Sequence, residues 1–492
     1  MSAEPKPTGI RSHGRTKWLW LVVGIVAAGL LVWALTWPRG DVLEVNGVRF
    51  RIWVAQHPDF QIQDPLAAVG TNAIPHLIRI LREPAESPRA FQAKAWIWKH
   101  LPRTLQSRFQ HWYPVPRWQL KRTALFGLRF LGPEAKVALP EVLRVGHVET
   151  NRMIRAGALV AALQIAPESP DTFDFWREEW EGTNFSRHDL AIYLGAARYP
   201  ILAAAPLLLD EAKRTPNPVT IVEACEYFGP AARPAVQYMR QVFTNSSFRG
   251  NMMKLFRRLG PVAAEAVPDL TAALEEEDPA MVGSALEALR AIGPDARAAL
   301  PRIQPLVTNH DVMIRMLAAS ASARIQGKPE LAVRVLLDGL ERPGAGTTKA
   351  RMTVDIRQPL AGVVTSGPDA AAILLGECGP AASAALPAVE QNLQDKNQWM
   401  RLASAQAIWR ISGDAKKALP VLLEILDAQP QPRPGQSPSP DTYMLIRAIE
   451  AIEEMGPAAQ EATPSLKRVR TLSMVTRHAV DAALAKIGPQ AP

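Results

Sequence analysis

From about residue 65 onward, apolar side chains recur at the three- and four-residue intervals of buried helix faces, and short polar turns break the runs at regular distances. The stretch Gly260 to Gly327 shows the unit most clearly. Pro261 opens one helix, where its fixed φ and missing N–H cost nothing. Pro268 then falls inside that helix, which predicts a lost bond to Ala264 and a bend. Glu275-Glu276-Glu277-Asp278-Pro279 reads as a turn. A second helix over Ala280–Ile292 places Val282, Leu286 and Leu289 on one face, and Gly293 ends it in a left-handed conformation.

The unit repeats. Gly132-Pro133, Gly260-Pro261, Gly293-Pro294, Gly379-Pro380 and Gly456-Pro457 are each followed seven residues later by a second proline: Pro140, Pro268, Pro301, Pro387 and Pro464. Pro230 to Pro261 is 31 residues, Pro261 to Pro294 is 33 and Pro457 to Pro489 is 32. A fixed period of this length identifies a helical solenoid, in which each unit contacts mainly its neighbours.

Helix with a proline, acidic turn, helix, Gly-Pro: this phrase resembles the HEAT repeat family within the armadillo-type solenoids. It is strongest over residues 260–327 and 379–413, clear over 132–167 and 456–489, and loose over 170–259 and 328–378. The resemblance implies an all-α, right-handed α-solenoid of HEAT-like helix pairs over residues 65–490. It also implies that Asp311 with Arg315 and Asp395 with Arg401 join neighbouring units, with Arg155 and Arg477 matching the arginine alone. The opening phrases, Val69–Ile78 and Trp96–Pro102, resemble membrane-anchored HEAT-repeat proteins of verrucomicrobial and planctomycete bacteria.

The N-terminus reads differently. Residues 1–17 form a basic tail with Lys6, Arg11, Arg15 and Lys17. Trp18 to Trp37 is 20 residues without a charge, long enough as a helix for a bilayer core, with tryptophans at both ends. This predicts one transmembrane helix, which places the chain in a bacterial inner membrane with its N-terminus cytoplasmic and its solenoid periplasmic. A cleaved signal peptide is the rival, but the stretch is too long and Ala34-Leu35-Thr36 is a poor cleavage site. In the juxtamembrane segment 38–64, Asn46-Gly47 between alternating flanks predicts a short β-hairpin with Glu44 opposite Arg49 and Leu43 opposite Phe50.

Charge singles out residues 87–133. Between Glu86 and Glu134 there is no acid and there are nine Lys or Arg, which account for the whole formal net charge of +9. Trp96, Trp98, Trp112, Tyr113 and Trp118 are interleaved with them. Three roles fit this irregular segment: a cap on the end of the array, a contact with an anionic lipid or envelope surface, and a nucleic-acid contact by phosphate binding and stacking. Arg103, Arg108, Trp112, Arg117, Trp118, Lys121 and Arg122 are the candidate contact cluster.

Candidate chemistry is sparse. The nine histidines are scattered, none precedes a glutamate as in the di-iron pairs of HEAT-type hydroxylases, and no two share a zinc-type i, i+4 spacing. Cys225 and Cys378 are 153 residues apart and form neither a disulfide framework nor a metal motif. His310 beside Asp311 lies in an inter-repeat turn, where capping or solvation accounts for it. Pro343–Lys349 lacks the spacing of a phosphate-binding loop, and residues 429–440, rich in proline, read as a surface loop. No catalytic residue, cofactor or metal is therefore assigned. The sequence is read as a membrane-anchored scaffold that binds a protein partner or an anionic surface, and not as an enzyme. The alternative is a HEAT-type lyase or nucleic-acid glycosylase, which needs a convergent acid, base or ligand set.

Overall fold

A computed structural model of the chain describes residues 44–45, 48–49, 66, 69–84, 87–108, 114–196, 202–215, 228, 232–243, 248–341, 352–355, 362–365, 367–428, 440–470 and 474–488. The chain divides into two compact units, Met1–Phe50 and Arg51–Pro492. In the first, the strands Glu44–Val45 and Val48–Arg49 pair antiparallel with Glu44 opposite Arg49 and Val45 opposite Val48. Leu43 and Phe50 lie outside the described residues.

The second unit is a helix-pair solenoid. Its Gly-Pro phrase does not start an α-helix. Gly132–Ala138, Gly260–Ala266, Gly293–Ala299, Gly379–Ala385 and Gly456–Ala462 are each a 3-10 helix of seven residues. With three residues per turn, positions i and i+3 share a face. The paired alanines Ala135/Ala138, Ala263/Ala266, Ala296/Ala299, Ala382/Ala385 and Ala459/Ala462 accordingly all point inward and are fully buried.

The α-helix starts only at Leu139, Val267, Leu300, Leu386 or Thr463, so the second proline stands in its first turn. The expected bend at Pro268, with a bond lost to Ala264, is corrected on this ground. A proline in a first turn has no intrahelical acceptor to forgo. Pro420, inside Ala415–Ala428, is the interior case. Glycine opens the phrase because its φ is positive, +54° at Gly260, where an added Cβ would also stand 3.4 Å from the Ala291 carbonyl oxygen of the next pair.

Second helices form a row. Arg117–Leu131 packs on Arg152–Ile165; Arg249–Leu259 on Pro279–Ile292, and that on Val312–Gln326; Pro368–Glu377 on Gln398–Ser412; Pro440–Met455 on Met474–Ile487. Asp278, Asp311 and Asn397 cap three of these helices by accepting hydrogen bonds from backbone N–H groups. Between Val312–Gln326 and Pro368–Glu377 the regular succession changes. The first helix Glu330–Glu341 packs against both, and an antiparallel pair of strands, Met352–Asp355 with Gly362–Thr365, is inserted with Met352 opposite Thr365. The sequence reading has no strands there.

A ladder of ion pairs runs through the pairs. Arg155 bridges to Glu179, Arg187 to Glu211 at 2.5 Å, Arg315 to Asp338 at 3.8 Å, and Arg401 to Glu424 at 3.0 Å. The carboxylate that Arg315 reaches in the next helix is thus Asp338, while Asp311 caps the helix that carries Arg315.

The expected localisation, a single-pass inner-membrane protein with a periplasmic solenoid, is not sustained. Among the described residues no helix is long and apolar enough to cross a membrane. The segments assigned as tail and span, 1–17 and 18–37, lie outside those residues, as do the loops 343–349 and 429–439.

Candidate binding site

The expected contact cluster splits when placed on the fold. Arg103 begins the short helix Arg103–Arg108 and is exposed; Arg108 is its last residue; Trp112 lies outside the described residues. Arg117 pairs with Glu83, and Lys121, nearly buried, pairs with Glu149. Both carboxylates belong to chain on either side of the acid-free window, so these two cations hold the helix Arg117–Leu131 to its neighbours. Trp118 remains 43% exposed and Arg122 is half-buried. The structure therefore separates exposed residues (Arg103, Trp118) from ion-paired ones (Arg117, Lys121).

A second cationic set was not singled out by sequence reasoning. Arg129, Arg257, Arg290, Arg324 and Arg410 each stand three residues before a glycine of positive φ: Gly132, Gly260, Gly293, Gly327 and Gly413. The signal lay in the same phrase that announces the repeat, as Arg-x-x-Gly. Part of the reason is local, because a cation in a last helical turn faces the negative end of the macrodipole, worth about 0.3–1 kcal/mol.

Convergence is what the dipole does not explain. Arg257, Arg290, Arg324 and Arg410, from four second helices, line one cavity of about 660 Å³ together with Arg447 from a fifth. Ala291, Met352, Ile373 and Gly376 complete its wall beside Glu377. A neighbouring cavity of about 460 Å³ shares Arg290, Arg324 and Glu377 and extends to Ser320 and Cys378.

Three of these guanidiniums are held in place. Arg410 donates to both oxygens of Glu454, at 2.8 and 2.6 Å. Arg447 donates to Glu450 at 3.0 Å and to the Gln406 side-chain oxygen at 2.7 Å. Arg290 pairs with Glu377 across the row. Burial alone would raise the Glu454 carboxyl, but hydrogen bonds from Arg410 and Gln406, with the charges of Arg410 and Arg447, hold it below the usual carboxylate range. Burial first, and then the charge of Glu377, push the Cys378 thiol up to about 11, against the opposing influence of Arg290. That thiol is protonated and unreactive at neutral pH. Among the described residues no group of His, Cys, Asp and Glu is placed to hold a metal ion. What the wall offers a ligand is positive charge in planar, forked donors beside the apolar side chains of Ala291, Met352 and Ile373.

No family model matches the chain, and no curated protein matches it in sequence. Among structures, it is similar to a chain in a homology model of the full-length AP-3 complex in an intermediate open conformation, with 12% identity over 87% of this chain and 85% of that one and a TM-score of 0.35. It is also similar to the karyopherin Kap121p, in a crystal structure with the extreme C-terminus of the protein phosphatase Cdc14p. There the identity is 12% over 88% of this chain and 52% of that one, and the TM-score is 0.30. The chain thus spans about half the karyopherin's length. Scores this low carry no argument, and the helix-pair architecture rests on the chain's own geometry.

Proposed function

We propose that this chain is a HEAT-type scaffold whose row of second helices, within the array 65–490, holds a protein partner. The observation that carries this reading is the convergence of five arginines from five second helices on one open cavity. Repeats that contact mainly their neighbours build long continuous surfaces suited to another macromolecule. A surface studded with Arg, the residue enriched among binding hot spots, favours recognition over inert packing. Arg103, Arg108, Trp112, Trp118 and Arg122 form a second contact surface under this reading, with Arg117 and Lys121 positioning the helix that carries much of it.

The test is charge reversal on the full chain. Arg257→Glu with Arg324→Glu should abolish capture of the partner. Arg297→Glu, an exposed cation on a first helix, should leave capture intact. Equal capture by all three proteins would place the partner elsewhere and refute the proposal.

A further inference from the structure

We infer that the arginine-lined cavity is an oxyanion pocket that takes an acidic stretch of polypeptide, a carboxylate or phosphoryl group being clasped by the guanidiniums. The inference rests on the scaffold reading and names the chemistry of the partner segment.

The geometry favours such a ligand in three ways. First, the donors are ordered before anything binds: Glu454, Glu450 and Gln406 fix Arg410 and Arg447 at 2.6–3.0 Å. Planar guanidiniums held in this way match the paired oxygens of carboxylate and phosphoryl groups. Second, donor capacity remains unused. Arg324 is exposed on the cavity wall and has no acidic partner among the described residues. The Nε of Arg290 is buried and finds no acceptor among them. Third, the shape is elongated. The two cavities, about 660 and 460 Å³, share Arg290, Arg324 and Glu377, so one bound chain passes from one to the other along a common wall. Each lies in the size range of ligand pockets.

The lining also argues against nucleic acid. Among the described residues neither cavity is lined by an aromatic side chain, so none of them offers a platform for base stacking. Glu377, Glu454 and Glu450 are paired with Arg290, Arg410 and Arg447, so the wall suits single oxyanions and lacks the run of uncompensated cations that tracks a polyphosphate backbone. Ala291, Ile373, Met352 and Gly376 supply apolar contact that suits the aliphatic stems of Glu and Asp side chains.

Fluorescence anisotropy on the full chain tests the inference with four labelled probes: a short Glu/Asp-rich peptide, a phosphoserine peptide, a Gly/Ser peptide and a short oligothymidylate. One or both anionic peptides should bind, more weakly as salt rises, and the Gly/Ser peptide should not. Their ratio identifies the oxyanion source. Arg324→Gln should weaken peptide binding about tenfold or more, the loss of one charge-assisted contact. Arg257→Gln should act in the same direction, and Arg297→Gln should change nothing. Failure of both anionic peptides to bind, unchanged affinity in Arg324→Gln with native thermal stability, or tighter binding of oligothymidylate would each overturn it. If partner capture is lost on charge reversal of Arg257 and Arg324 while no anionic peptide binds, the scaffold reading stands and this inference falls.

Discussion

Arg477 is ion-paired to Glu134 at 2.9 Å although 343 positions separate them in the chain. Arg477 is the fourth residue of Met474–Ile487, as Arg155, Arg315 and Arg401 are of their helices. Those three reach a carboxylate on the next helix. Arg477 instead takes one from an early Gly-Pro phrase, donates to the Phe130 carbonyl at 3.3 Å, and stacks 4.9 Å over the Phe130 ring. The last described helix is thus joined to one of the first helix pairs.

Breaking this join should loosen two distant segments together. The Arg477 side chain is 5% exposed, so Glu134→Gln leaves it the longer pair with Asp481 at 3.7 Å; that remaining pair and the 44% exposure of Glu134 moderate the cost to about 1–3 kcal/mol. Arg477→Ala should cost more, because the ring contact and the carbonyl bond go as well. Hydrogen exchange should quicken in both 474–487 and 130–138. Faster exchange in only one of them would show that the pair does not couple them.

Close packing between helices of the array predicts a contrast between two glycines. A Cβ at Gly376 would stand 2.9 Å from the Ala407 Cα, which is backbone and cannot move aside, so Gly376→Ala should cost about 1–3 kcal/mol. At Gly339 the obstacle is the flexible side chain of Met316, and Gly339→Ala should be milder. Equilibrium denaturation of the two variants measures the difference.

How much of this was legible beforehand depends on the kind of signal. Gly-Pro and its period are local and covalent in origin, so the repeat could be read directly. The switch to 3-10 helix was also written there, as Ala-x-x-Ala after Gly-Pro, but a period of three is easily absorbed into an α-helical reading. Charge misled for a different reason. A tally by segment treats Arg117 and Lys121 as surplus, whereas folding brings Glu83 and Glu149 to them from outside the segment. The arginines before the repeat glycines look like dipole complements one at a time, and only the fold shows that four of them, Arg257, Arg290, Arg324 and Arg410, share one cavity with Arg447. The strands at 352–355 and 362–365 lie where the repeat phrase is weakest, so periodicity offered no guide.

Acid should weaken the arginine wall. The folded Glu454 carboxyl sits below its ordinary value, so its contribution is complete above the ordinary carboxylate range of about 4.3 and is lost as pH falls through the lower folded value. Glu454→Gln should flatten the acid limb of a stability profile measured by denaturation across pH. An unchanged acid limb would show that the carboxylate contributes nothing there.

The Cys378 thiol, pushed to about 11, should react sluggishly. In a Cys225→Ser chain, labelling by a thiol reagent near neutral pH should be roughly a hundredfold slower than in the unfolded chain, as the reduced thiolate fraction requires. Rapid native-state labelling would mean that the lining of the second cavity around Cys378 opens readily.

The central claim, that the row of second helices is the partner-bearing face, is tested most directly by site-specific photocrosslinking in the full chain. A photoreactive residue replaces either Arg324 on the cavity wall or Val137, an exposed position on a first helix. The account predicts crosslinks to the partner from position 324 and none from 137. Crosslinks from 137 with none from 324 would contradict it.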